Sequence, residues 1–321
     1  MSASRTLRGE GGVSEQTRAR VQQAAEELGY RRNASARSLR LDAGSDLVGV
    51  VVTHLANPFY ARLTLGVQMA VESRGMRVLL ANTEESSERE RELIQNLLER
   101  RVDGMVVVPS GYDHEHLDPQ ALQGTPVVLA SRPPSGPDLD CVLVDDFGGA
   151  RQATLRLLEE GHRRIGFVGN PPAVYTGAER YRGYCAALEE SSLKESRRYV
   201  DRSAVDAASA ERSAIRMLSF DRPPTAFFAT NNRLALGVLR AVRCFSSEVS
   251  LAAFDDLEYA DLLDRRPALV GYDAEEVGRK AGELLVRRMD ERGESRDRAA
   301  SRVVVPVTLA NGGRGSTDTD G

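Results

Sequence analysis

Short aliphatic runs recur along this chain, separated by amphipathic stretches, and that rhythm limits the fold more than any other feature. The first half carries LVGVVV (Leu47 to Val52), RVLLAN (Arg77 to Asn82), GMVVVP (Gly104 to Pro109) and PVVLA (Pro126 to Ala130). The second half carries RIGFVG (Arg164 to Gly169), TAFFAT (Thr225 to Thr230) and VSLAAFD (Val249 to Asp255). Runs of Val, Leu and Phe without polar alternation suit strands buried on both faces, as in a parallel sheet covered by helices. Helical stretches fall between them at Tyr60 to Arg74, Glu88 to Arg101, Gly149 to Glu160, Gly177 to Glu190, Ala208 to Leu218 and Asn232 to Val242. Glu275 to Glu291 follows with Val277, Ala281, Leu284 and Leu285 on one face, and a last strand is predicted over Val303 to Leu309. The expected class is α/β, with two doubly wound parallel-sheet lobes of roughly 120 residues each.

Ahead of the lobes lies a segment of different character. Residues 1 to 41 hold eight arginines, no lysine and four glutamates, a net +4, so the remainder carries −8 of the chain's total of −4. An acidic body with a basic head is the charge pattern of a phosphate-contacting module joined to a larger domain. Within the head, Ser14 is a good cap for a helix of about fourteen residues with Val21, Ala24, Ala25 and Leu28 on one face and Gly29 as its stop. Asn33 to Arg40 (NASARSLR) is a second helix of about two turns, too short to stand alone in water and so in need of a partner surface. The predicted organisation is a small, incomplete all-α head over residues 1–45 with a hinge helix at 33–40, a two-lobed body over 46–310, and a disordered Gly/Ser/Thr/Asp tail over 311–321.

Several function classes drop out on composition. The hydrophobic fraction of 41% and charged fraction of 28% belong to a chain that buries a large core, not to a disordered one. Cys141, Cys185 and Cys244 are widely spaced with no CxxC, which encodes neither a disulfide framework nor a zinc site. A polar N-terminus and the lack of a long apolar run predict a cytoplasmic location and no membrane partner. No GxSxG, P-loop, HExxH or dinucleotide fingerprint is present, so no catalytic residue and no cofactor are expected. His114 and His116 pair without a third ligand, and no metal site is assigned. Asp145 with Asp146, and Asp255 with Asp256, are adjacent carboxylates that point apart at a strand end, which suits ligand or cap hydrogen bonds better than acid–base chemistry.

Longer stretches resemble the lac and galactose repressor family of bacterial transcription regulators over nearly the whole chain. They are VSEQTRARVQQAAEELGYRRNASARSLR (Val13 to Arg40), NPFYARL (Asn57 to Leu63), RRVDGMVV (Arg100 to Val107), EEGHRRIGFVGNP (Glu159 to Pro171), RPPTAFFATNNRLALGVLRA (Arg222 to Ala241) and AFDDLEYADLLDRRP (Ala253 to Pro267). The resemblance implies two periplasmic-binding-protein-like lobes behind a helix-turn-helix head, whose hinge helix enters the minor groove of an operator. It implies DNA contacts from Ser2, Ser4, Arg5, Asn33, Ala36, Arg37, Leu39 and Arg40, with Leu39 as the apolar wedge. The chain opens inside the recognition helix of that motif. Ser2, Ala3, Ser4 and Arg5 stand where the family has Thr-Val-Ser-Arg, and the bracing first helix has no counterpart. A head so shortened is not expected to fold as a reader of bases. Either translation starts further upstream, or specific operator binding has been lost.

The same resemblance places an effector in the cleft between the lobes, where strand C-termini meet. The sequence sets Phe59, Tyr60, Arg132 and Asp145 at strand ends facing that cleft, and the resemblance implies contacts from Thr176, Arg180, Val205, Asn231 and Asp255, with Arg180 as a forked clasp for two ligand oxygens. Helix capping and loop pinning are the competing uses of Asn231, Asp145 and the others. Asn232, Ser131 and Tyr272-Asp273 depart from the family pattern, and the connection Arg243 to Glu248 is short, which puts the ligand's identity in question. The expected function is a homodimeric repressor that binds operator DNA and responds to a sugar or nucleoside. The alternative is a small-molecule sensor that has lost specific DNA binding.

Overall fold

The computed structural model describes residues 14–27, 44–136, 138–245, 248–258, 260–263, 265–291 and 299–311. The chain divides into two compact units, Met1–Ser45 and Asp46–Gly321. In the first, helix α1 (Glu15–Glu27) follows Ser14, whose hydroxyl lies 2.9 Å from that of Thr17; Val21 and Ala25 are half-buried. Leu28, Gly29, the hinge segment 33–40 and the eight proposed DNA contacts lie outside the described residues, as does the expected tail 311–321 except for Asn311, which ends a strand instead.

The second unit holds the predicted pair of lobes. Lobe 1 begins β1 (Leu47–Val52), α2 (Pro58–Glu72), β2 (Arg77–Asn82), α3 (Ser87–Glu99), β3 (Gly104–Val107), β4 (Val127–Ala130) and β5 (Cys141–Val144). Lobe 2 takes α4 (Asp146–Glu159), β6 (Ile165–Val168), α5 (Tyr175–Glu190), β7 (Val200–Asp201), α6 (Ala207–Leu218), β8 (Ala226–Ala229), α7 (Asn232–Cys244), β9 (Ser250–Phe254) and β10 (Ala268–Gly271). The chain then returns through α8 (Ala274–Asp290) to β11 (Arg302–Val305) in lobe 1 and β12 (Thr308–Asn311) in lobe 2. Each sheet has six strands, ordered β11-β5-β4-β3-β1-β2 and β12-β10-β9-β8-β6-β7. All neighbours are parallel except β10 with β12.

Central strands are apolar because both faces are covered. Val48, Val50, Val51 and Val52 of β1 are fully buried, and Val50 lies opposite both Leu80 and Val106. Three segments cross between the lobes: β5 into α4, β10 into α8, and β11 into β12. Helix α8 leaves the second sheet yet packs on α2, β3, β4 and β5, while α4 leaves the first sheet and packs on α5, β9 and β10. No described helix is long and apolar enough to cross a membrane.

The element reading from the sequence needs one correction. The single strand predicted over Val303 to Leu309 is two strands, one in each sheet, parted at Pro306 and Val307. Proline lacks the N–H that a continuous ladder requires, and here it marks the third crossing. The two-residue β7 and the four-residue β10 were not predicted; β7 is too short to show a period, whereas β10 is no shorter than the predicted β3, β4, β6 and β8.

Candidate functional site in the cleft between the lobes

Strand C-termini of both sheets open onto a cavity of about 150 Å³. Lobe 1 contributes His54, Asn57, Phe59, Tyr60, Glu85, Ser131 and Arg132, and lobe 2 contributes Asn170, Thr176, Arg180, Val205, Asn231, Arg233, Asp255 and Tyr272. Eight of the nine residues expected at an effector site thus share one cavity.

The ninth, Asp145, does not line it. Its Oδ1 accepts from the Gly148 backbone N–H at 2.9 Å and caps α4, so the capping role expected of such a residue prevails here. Asp146, one position on, turns toward Arg180 instead.

On the lobe 1 side, Asn57 caps α2 by accepting from Phe59 N–H at 3.0 Å, and Pro58 takes the first helical position, where its missing N–H costs nothing. That start sets Phe59 and Tyr60 in the first turn, facing the cavity, with rings 4.9 Å apart at 70°. Tyr60 is buried, its hydroxyl accepts from Thr53 at 2.6 Å, and burial pushes the phenol's pKa up. Arg132 is also buried. It donates to both oxygens of Glu85 at 2.6 and 2.7 Å and to the Pro109 carbonyl at 2.9 Å, while its Nε meets no partner. Burial works to raise the Glu85 carboxyl, but the two bonds and the charge of Arg132 outweigh it and hold it below its ordinary value.

On the lobe 2 side, Arg180 stands at the centre. Its Nε donates to Asp146 Oδ1 at 2.7 Å, another nitrogen donates to the Thr230 carbonyl, and Asp255 Oδ1 lies 3.9 Å away. Its guanidinium also stacks 3.6 Å from the Phe254 ring centroid. Asp255 accepts from the Tyr272 hydroxyl at 2.8 Å. Asn231 caps α7, accepting from Leu234 N–H at 2.9 Å, and its amide donates to Asn170 Oδ1 at 2.9 Å. Both readings of Asn231 therefore hold at once: it is a cap, and it lines the cavity.

Backbone conformation helps to aim these groups. Glu85, Ser131 and Asp255 follow strands β2, β4 and β9 with φ of 61°, 66° and 70°, a left-handed region that non-glycine residues seldom occupy and that clusters at functional sites. The sequence did not disclose Glu85, Asp146, Asn170 or His54. The signal for Glu85 and Asp146 would have been charge complementarity with Arg132 and Arg180, which spacing along the chain does not reveal. His114 and His116 lie elsewhere, engaged with Ser135 N–H at 3.0 Å and Glu90 at 2.8 Å respectively.

Known proteins share this fold. The family model described as periplasmic binding proteins and sugar binding domain of LacI family matches residues 45–308, and that for bacterial regulatory proteins, lacI family, matches residues 1–33. The chain belongs to the LacI family of bacterial transcriptional regulators. Among its relatives, the HTH-type transcriptional regulator CelR of Thermobifida fusca is 33% identical over 90% of this chain and 87% of its own. The HTH-type transcriptional regulator GalS of Salmonella typhimurium is 30% identical over 89% of this chain and 85% of its own. A solved complex of the regulator CelR with cellobiose superposes with a TM-score of 0.74 at 31% identity, over 97% of this chain and 94% of that one.

Proposed function

We propose that this regulator is a cytoplasmic, homodimeric repressor whose operator affinity is set by a sugar or nucleoside held between the lobes. The observation that carries the effector half is the shared cavity, in which Phe59 and Tyr60 offer ring faces while Arg180, Asn231 and Asp255 offer hydrogen-bonding groups to hydroxyls. Arg132, Thr176 and Val205 complete the contact set. The cellobiose complex of a relative favours a sugar among the two ligand classes. Among the described residues no group in the cavity is arranged as a nucleophile with its base, and the site is read as one that binds without turnover.

The DNA half rests on the lacI-type match over residues 1–33 and on the arginines of the head, 1–45, ahead of the body, 46–310. Ser2, Ser4 and Arg5 would face bases and phosphates, and Asn33, Ala36, Arg37, Leu39 and Arg40 would form the hinge at the minor groove. Ligand-dependent closure of the lobes would then alter the affinity of paired hinges for DNA.

The test is fluorescence anisotropy of the full chain on duplexes drawn from DNA flanking its own gene, with and without sugars chosen by a thermal-shift screen. Nanomolar, ligand-sensitive binding to one such duplex is expected, with Arg37→Ala and Arg40→Ala each lowering the slope of log K against log salt by about 1. Ligand binding without any duplex preference would move the chain to the sensor reading instead.

A further inference from the structure

Beside the main cavity lies a second hollow of about 30 Å³, and Phe59, Asp255 and Tyr272 face both. Tyr272 follows β10 directly, on the segment by which the chain returns from lobe 2 to lobe 1. Its ring sits between Phe59 of lobe 1, at 5.8 Å and 61°, and Phe254 of lobe 2, at 6.0 Å and 55°. The bond from its hydroxyl to Asp255 Oδ1, at 2.8 Å, anchors the far end of the ring. Both ends of the side chain are thus fixed, and the ring is a wall between the two spaces.

We infer that Tyr272 determines effector size: it closes the site at one ring, admitting a five- or six-membered polyol and excluding a two-ring saccharide. This inference rests on the sugar-effector reading and deepens it. A cavity of about 150 Å³ is the size that holds one benzene ring, whereas 30 Å³ has room for about two or three waters and not for a sugar ring. A second ring therefore has no place behind Tyr272 unless the side chain leaves. Escape past the wall is also restricted, because the lobes touch on that side through Asn232 Nδ2 and Asn57 Oδ1 at 3.2 Å and through Arg62 and Glu258 at 3.8 Å. Another tie, from the Tyr112 hydroxyl to the Pro172 carbonyl, spans the lobes next to Pro171, which also lines the cavity.

The experiment is calorimetric titration of the full chain with D-glucose, D-galactose, D-ribose and cellobiose, repeated on Tyr272→Ala and Tyr272→Phe. Wild type is expected to bind one of the single-ring sugars at least tenfold more tightly than cellobiose. Tyr272→Ala should shift that ratio tenfold or more toward cellobiose, while Tyr272→Phe, which keeps the ring, should preserve it. If Tyr272→Ala fails to fold, Tyr272→Leu, which shortens the wall but keeps an apolar core, gives the same readout. Cellobiose bound by wild type as tightly as the best single ring, or a ratio unchanged in the Ala or Leu variant, overturns the inference and leaves the sugar reading standing. No heat from any of the four sugars with wild type or variants overturns the sugar reading and this one with it.

Discussion

Arg180 is one buried cation serving two buried carboxylates, and the imbalance has a consequence for pH. The guanidinium, facing Asp146 and Asp255, has its pKa raised despite a burial cost. Asp146 faces full burial, the charge of Asp255 and an Oδ2 with no partner, so its carboxyl is pushed up to about 6 even beside Arg180. The folded value exceeds the unperturbed 3.8, so the folded chain holds this proton more tightly than the unfolded one. The group's contribution to stability is therefore fully present below about pH 4 and is lost as pH rises through about 6, by on the order of 3 kcal/mol. Asp146→Asn, neutral at every pH, should show the matching trend in urea unfolding. Its stability relative to wild type is expected to rise by roughly that amount between pH 4 and pH 7.5. A constant difference across the range would mean that Arg180 alone satisfies the carboxylate. The sequence disclosed Arg180 and Asp255 through motif resemblance, yet not Asp146, because Asp145 and Asp146 look alike on paper. Which one caps the helix and which turns inward depends on where α4 begins, and sequence periodicity leaves a helix start uncertain by a residue or more.

At the scale of elements, apolar runs and helical periods were what the sequence made legible. Six-residue strands such as β1 and β2, the four-residue β3, β4, β6 and β8, and helices of twelve to seventeen residues announced themselves by run and period. The two-residue β7 was too short to do so, and β10 was missed although it is as long as those four-residue strands. Pro306 was visible, but the aliphatic residues on both sides of it concealed a change of sheet. How helices approach one another was not legible either. Helices α2 and α8 make the most extensive helix contact in the body. They come so close that a Cβ at Gly66 would overlap the Glu275 carbonyl oxygen, and one at Gly278 the Leu63 carbonyl oxygen. Because α8 belongs to the returning chain, this pair fastens the second crossing onto lobe 1. Gly66→Ala and Gly278→Ala should each lower stability by about 1–3 kcal/mol or more, since backbone rather than a side-chain tip must give way. Gly271→Ala, whose Cβ would meet nothing nearer than 3.9 Å, should stay within about 0.5 kcal/mol of wild type. Thermal unfolding of the three variants side by side checks the ordering.

Across the whole body, the three crossings join two lobes that also touch at the cleft rim, and the rim contacts are weak enough to act as a latch. Asn57 with Asn232 is a neutral pair at 3.2 Å, and Arg62 approaches Asp256 and Glu258 only to 4.0 and 3.8 Å. Exposed ion pairs at such distances contribute little net energy and are screened by salt. The tie between Tyr112 and Pro172 is a single hydrogen bond on a side chain that is 62% exposed. None of these rim contacts is buried deeply, and the cross-lobe apolar contact that opening would break is Phe59 against Tyr272, with ring centroids 5.8 Å apart. A ligand bridging the lobes adds contacts only when they close, so if open lobes predominate without ligand, removing a rim bond lowers its apparent affinity by what the bond contributed to closure. For Tyr112→Phe, losing about 0.5–1.5 kcal/mol implies a two- to tenfold weaker effector by calorimetry, with no change in the preference between one-ring and two-ring sugars. Stability against urea should be nearly unaffected, because the hydroxyl is replaced at the surface rather than in the core. An affinity equal to wild type would show that the tie is absent when ligand is bound. An affinity loss accompanied by changed sugar preference would place Tyr112 against the ligand itself, outside the role of a latch.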